Sequence, residues 1–262
     1  MEIETQLVLR GDAMRKVIQL VVAIAVSVPA IAEAGVYNVH LGGMCSTQFE
    51  GGKGGGYLGY WAGETSVSAY VDQRDSMATA TQQFANTLDT YCRAGSGNIC
   101  YVYTYSNGGA VFSRTMAMYE DGRWSIGYSM AAASNEGGSE IGGTGWIGEV
   151  FGGCNLAGHI GPSDNRNGWN HNDTNGVTIG HIGGNGWLAP YAQSSILPGH
   201  DDGAVAEHSS GGYSSTGSYS NICGSNKYAG HQAWWSCEYG SLNHTDLKMK
   251  GICNDGGASG CK

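Results

Sequence analysis

The segment from Ile99 to Tyr119 constrains the fold of this chain more than any other. Ile99-Cys100-Tyr101-Val102-Tyr103 is a β-branched and aromatic run that reads as a strand. Thr104-Tyr105-Ser106-Asn107-Gly108-Gly109 follows, and Ala110 to Tyr119 then carries apolar residues at 111, 112, 116 and 118, a helical spacing. Strand, serine turn and helix thus succeed one another with almost no linker. So abrupt a turn holds its central residue in a strained conformation and demands small neighbours at −2 and +2, the pattern G-x-S-x-G. The consequence is chemical: the turn lifts Ser106 Oγ clear of the sheet and aims the Asn107 N–H and the positive end of the helix at any charge developing there. Thr104 stands where the pattern has its first glycine, a departure that crowds the turn.

A serine hydroxyl is a weak nucleophile until an imidazole accepts its proton, and the imidazole needs a carboxylate to fix its tautomer. On an architecture with this turn the two partners come later in the chain, acid first and histidine second, in loops after strands. Val177 to Ile182 is a candidate strand, followed by Ile196 to Val205 with His200, Asp201 and Asp202; Ala233 to Cys237 is another, followed by His244 and Asp246. Upstream, Val36 to Leu41 reads as a buried strand ending at Gly42-Gly43, and residues 42–63 read as a Gly-rich loop. Ser76 caps a run with apolar or small residues at 77, 81, 84, 88 and 91, which predicts a helix that stops at Gly95.

The amino terminus reads as a targeting segment rather than as part of the fold. Arg15 and Lys16 precede an apolar run from Val17 to Ile31, and Ala32-Glu33-Ala34 fits a cleavage site. We expect a signal peptide over 1–34, with 1–13 a polar extension before an alternative start at Met14, and a single domain over 35–262. The run is too short and interrupted for an anchor, so no stable membrane attachment is expected after cleavage. All eight cysteines lie beyond residue 34, which points to four disulfides in a secreted or periplasmic protein. Local pairing suggests 92–100, 223–237 and 253–261, leaving 45 with 154. The net charge of −9 repels phosphate backbones, so nucleic acid is not an expected partner.

Taken together, these stretches resemble the secreted bacterial lipases and esterases of the α/β-hydrolase family. VHLGG at 39–43 is similar to that family's oxyanion loop, and TYSNGG at 104–109 to its GHSxGG elbow without the Gly-His start. AAASNEGGSE at 131–140, DDGAVAEHSS at 201–210 and NHTD at 243–246 are similar to its later motifs, in the same order. The resemblance implies an α/β fold with a mostly parallel central sheet flanked by helices, and an acyl-enzyme mechanism on carboxylic esters. It implies Ser106 as nucleophile, Asp202 as acid and His244 as base, with the N–H groups of Asn107 and of Gly42 or Gly43 as the oxyanion hole. Asp201 rivals Asp202, and His200 and His208 rival His244; chain order favours His244.

No cofactor is expected, although in some of these lipases a position matching Asp246 helps to hold calcium. A local backbone cap is the simpler reading of Asp246. Asp164, His171, Asp173 and His181 have no ligand spacing and read as a solvated loop. Tyr105, Trp61 and Trp146 are the candidate substrate-binding aromatics, with Trp169 and Trp187 also in Gly-rich connections. Residues 140–176 lie where these folds carry a cap, and their glycines argue against a long apolar lid. The expected partner is therefore a small-molecule or lipid ester, soluble or short-chain by preference. An amide or peptide hydrolase on the same triad, and an inactive disulfide-rich binding protein, are the alternatives.

Overall fold

The computed structural model describes residues 34–49, 64–142, 144, 153–186, 196–210, 224–225, 233–239 and 242–249. Residues 1–33 of the expected signal peptide, Trp61, Trp146, Trp187 and the cysteines at 223, 253 and 261 lie outside the described residues.

Among the described residues seven strands form one sheet: β1 (Val36–Leu41), β2 (Glu64–Ser68), β3 (Ile99–Tyr105), β4 (Ile126–Ala132), β5 (Ile179–Gly184), β6 (Gly224–Ser225) and β7 (Ala233–Tyr239). Their order is β2-β1-β3-β4-β5-β7-β6, and every neighbouring pair is parallel except β6 with β7. Parallel neighbours need crossovers, and helices cover both faces. The helices are α1 (Met77–Tyr91), α2 (Asn107–Met118), the short α3 (Pro162–Asn165) and α4 (Glu207–Ser210), and α5 (His244–Met249). This bears out the expected α/β architecture.

Alternation along β3 shows how the layers form. Val102 joins β1 residues Val39 and Leu41 and helix residues Phe84, Leu88, Val111 and Phe112 in one core. Tyr103 and Tyr105 point the other way, into a second core with Phe49, Met130, Ile182 and Leu247 of α5. With both faces covered, β3 is apolar almost throughout, which is why it was conspicuous in the sequence. β2 was not: its described side chains at 65–68 are mostly exposed on the sheet edge, so Glu-Thr-Ser-Val-Ser carries no apolar run. Residues read as loop up to 63 therefore lead into an unforeseen strand.

Helix α1 begins as expected, with the Thr79 N–H donating to Ser76 Oγ at 3.2 Å. It stops at Tyr91, short of Gly95, because the chain leaves to pair with the segment before β4: Ala94 N–H donates to Arg123 O and Ser125 N–H to Cys92 O. The disulfide 92–100 forms as the expected local pair, and 45–154 forms as the pair expected to remain. Between 153 and 176, Leu156, Ala157 and Ile160 belong to the first core. Among the described residues no helix is long and apolar enough to cross a membrane.

Candidate active site

The strand order reverses between β1 and β3, whose connections leave toward opposite sides, and the carboxyl ends flanking such a switch point are where open α/β sheets build their sites. Two loops meet there. After β1 comes Gly42-Gly43; after β3 comes Ser106, with φ 54° and ψ −128°, a conformation that is costly for a residue with a side chain. The strand runs to Tyr105 and the helix starts at Asn107, so Ser106 alone makes the turn.

Close packing explains the glycines around it. A Cβ on Gly108 would come within 2.5 Å of Gly42 O, and one on Gly109 would overlap Ser134 Oγ. One on Gly43 would stand 2.9 Å from Ser106 Cβ. The glycine missing at 104 is tolerated because Thr104 pairs with Ala131 on β4, which leaves room for the buried side chain, and its hydroxyl donates to Met130 O at 3.4 Å.

The acid and the histidine arrive from the far side of the sheet. Asp202 lies in the segment after β5, where its Oδ1 accepts the N–H groups of Ala204 and Val205 at 3.0 and 2.8 Å. His244 opens α5 after β7, and its N–H donates to Asp202 O at 2.8 Å. Asn243 caps that helix: its Oδ1 accepts the N–H groups of Thr245 and Asp246, and Asp246 Oδ2 accepts the Asn243 N–H at 3.5 Å. That reciprocal arrangement is a capping box. It turns the imidazole inward.

The structure brings Ser106, His244 and Asp202 together. His244 Nε2 lies 2.9 Å from Ser106 Oγ, and His244 Nδ1 lies 2.8 Å from Asp202 Oδ2. Asp202 and His244 are each 1% exposed. A carboxylate only accepts, so Nδ1 carries the ring proton and Nε2 offers its lone pair to the serine hydroxyl. The arrangement can therefore take the serine proton and hold the resulting imidazolium.

The rivals have other partners. Asp201 Oδ1 accepts the Gly203 N–H at 2.9 Å, and burial holds its carboxyl above the usual range. His200 faces Glu207 at 3.6 Å, and His208 faces Glu140 at 3.4 Å and Arg166 at 3.0 Å. Tyr105, expected at the substrate, is a buried side chain whose ring packs on His244 with centroids 5.1 Å apart. Burial, and then the charge of Asp202, push its phenol well above its ordinary pKa. Trp169 anchors a loop instead: its Nε1 donates to Ser113 Oγ at 2.9 Å, and Ser113 Oγ lies 3.3 Å from His171 Nδ1.

His181 corrects the reading of a solvated polar loop. It is a buried residue of β5, 4.0 Å from Glu136 Oε1. Among the described residues no group of three or more His, Cys, Asp or Glu is arranged to hold a metal ion.

Sequence reasoning missed Gln73. It is fully buried beside the first turn of α2, where its Nε2 donates to Gly42 O and its Oε1 accepts from Asn107 Nδ2 at 2.9 Å. Both partners lie more than 30 residues away, and the only local hint is an uncharged amide just beyond a strand end.

No protein-family model matches the chain, and no curated protein matches it in sequence. Solved structures do match. The lipase BlEst2 of Bacillus licheniformis in mature form has 12% identity and a TM-score of 0.58, over 83% of this chain and 88% of the other. The propeptide form of that lipase has 12% identity and a TM-score of 0.55 over 83% and 48%. The metagenomic carboxyl esterase MGS0156 has 13% identity and a TM-score of 0.51 over 68% and 60%. At such identities the likeness speaks to architecture: with the parallel sheet and the turn at Ser106, it establishes that this chain has the α/β-hydrolase fold.

Proposed function

We propose that the chain is a secreted serine hydrolase that cleaves carboxylic esters through an acyl-enzyme. The observation that carries this reading is the pair of contacts from His244, 2.9 Å to Ser106 and 2.8 Å to Asp202, on a serine held at positive φ. Ser106 Oγ attacks the ester carbonyl carbon while His244 Nε2 takes its proton, and Asp202 keeps the ring oriented and balances its charge. The N–H of Asn107, with that of Gly42 or Gly43, receives the carbonyl oxygen as it becomes negative. Collapse of the tetrahedral species expels the alcohol, which leaves with the proton from His244. Water then repeats the sequence on the acyl-enzyme and frees the acid.

The lipase and the carboxyl esterase that share the fold support an ester over an amide substrate. The disulfides 45–154 and 92–100, with the targeting pattern of residues 1–34, support export of a domain that begins near Gly35. A serine-directed fluorophosphonate tests the reading: one covalent adduct is expected, on Ser106, with turnover of p-nitrophenyl esters far above that of matched anilides. A folded protein that gives no adduct would sink the enzymatic reading. Faster anilide than ester cleavage would move it to amide bonds.

A further inference from the structure

We infer that Gln73 is a positioning residue that sets both halves of the oxyanion site through one buried amide, an inference that rests on the serine-hydrolase reading above. The need for such a residue follows from the loop. Gly42 and Gly43 have no side chains to restrain them, and glycine backbones are the most freely rotating in a chain. An oxyanion site works only when its donors are already aimed before charge develops. Something else must hold the pair.

Gln73 is placed for this by its own backbone. Its N–H donates to Ser46 O at 2.9 Å, and its carbonyl accepts the Cys45 N–H at 3.0 Å, so it is laced to the loop it supports. The side chain is 0% exposed and donates from Nε2 to Gly42 O. A carbonyl only accepts, so this contact decides which end of the amide faces Gly42 and leaves Oε1 for the Asn107 side chain at 2.9 Å.

Two geometric facts carry the effect to Ser106. The Gly42 carbonyl and the Gly43 N–H share one planar trans peptide and point in opposite directions, so holding the oxygen fixes the N–H. Gly43 itself lies against Ser106, since a Cβ there would meet Ser106 Cβ at 2.9 Å. On the other half, Asn107 is the first residue of α2, where backbone N–H groups have no partner within the helix. Anchoring its side chain to the same amide fixes the two donors relative to each other. Gln73 touches no reacting atom: it acts through these neighbours.

Gln73→Glu keeps the shape but replaces the donor with an acceptor opposite Gly42 O. Gln73→Met keeps the length and removes both polar contacts. In each variant, folding being checked by circular dichroism, kcat for a p-nitrophenyl ester should fall roughly 10²–10³-fold with KM nearly unchanged, the scale of losing one oxyanion donor. The distinguishing readout is the ratio of kcat/KM for an oxygen ester to that for its thionoester, because sulfur is a weak hydrogen-bond acceptor. This ratio should drop in both variants. Wild-type rates, or equal losses on the two substrates, would overturn the inference and leave Gln73 a packing residue. Failure of the wild-type protein to label on Ser106 would instead overturn the hydrolase reading.

Discussion

At the carboxyl ends of β1 and β3 the chain gathers Gly42, Gly43 and Ser106, and the segments after β5 and β7 add Asp202 and His244. At the amino ends of β3 and β4 it gathers Cys92, Cys100, Asp89, Arg123 and Trp124. The second group is closed on itself. Arg123 grips Asp89 through two bonds of 3.0 and 2.5 Å, Trp124 Nε1 adds a third at 2.9 Å, and the guanidinium lies 4.8 Å from the Tyr119 ring centre. The first group includes a serine held at positive φ and, on the function proposed above, the donors for a substrate oxygen. Both ends bond their polar groups to one another, but on the proposed function the first must also serve a substrate. Substitution should therefore cost rate at one end and stability at the other.

The largest test of that contrast is Ser106→Ala. It should lower ester turnover by about 10⁶-fold and abolish fluorophosphonate labelling while leaving thermal unfolding nearly unchanged. Retained turnover would break the comparison outright. Asp202→Asn should cost about 10⁴-fold in kcat, because an amide can hold the wrong imidazole tautomer. Asp201→Asn should be mild, since that carboxylate accepts the Gly203 N–H within its own loop and stands away from the imidazole's contact with Asp202. A large loss at 201 and a small one at 202 would reverse the assignment.

The disulfides 45–154 and 92–100 sharpen the comparison within one kind of bond. Cys45–Cys154 joins residues 109 apart and fastens the loop after β1, whereas Cys92–Cys100 joins residues 8 apart near the start of β3. Replacing either pair by alanine should cost stability on the order of 2–5 kcal/mol, read from denaturant unfolding. Only loss of 45–154 should also lower kcat, because Cys45 hydrogen-bonds to the Gln73 backbone. Equal kinetics in the two double variants would count against the link.

His40, at the end of β1, gives a smaller effect that depends on pH. Burial between Phe49 and Tyr103 lowers its pKa from 6.5 to about 4, so the folded protein holds it neutral. Between those values the unfolded chain binds more protons. The contribution is therefore complete above pH 6.5 and is lost as pH falls toward 4, a change on the order of 3 kcal/mol. Denaturant unfolding of wild type and His40→Gln at pH 7 and pH 4.5 should show a shallower acid loss in the variant; parallel losses would exclude His40. The smallest effect is expected at the closed end. Asp89→Ala should cost about 1–2 kcal/mol of stability by thermal unfolding, with kcat unchanged. Any loss of rate there would mean the two ends are coupled.

Much of the site was legible because its parts are local. The turn at Ser106 needs a buried strand, small trailing residues and a helix start, and these occupy consecutive positions from 99 to 118. The short disulfide and the cap at Ser76 are local in the same sense. β2 escaped notice because an edge strand buries too little to mark itself. Composition cannot say on which side of a layer a ring lies: Trp169 packs on a loop histidine, and Tyr105 packs on His244.

What the sequence by itself determined is the order of pieces: strand, serine, helix, then an acid and a histidine after later strands. Beyond the resemblance, which favours Asp202, only the tertiary structure places one carboxylate against the imidazole, because adjacent side chains diverge and the choice between Asp201 and Asp202 depends on a helix 42 residues away. It also gave Gln73 its place, joining residues 31 and 34 positions distant. Hydrogen-bond partners at such separations leave no periodic trace in a sequence, since nothing but the packing of the sheet brings them within reach.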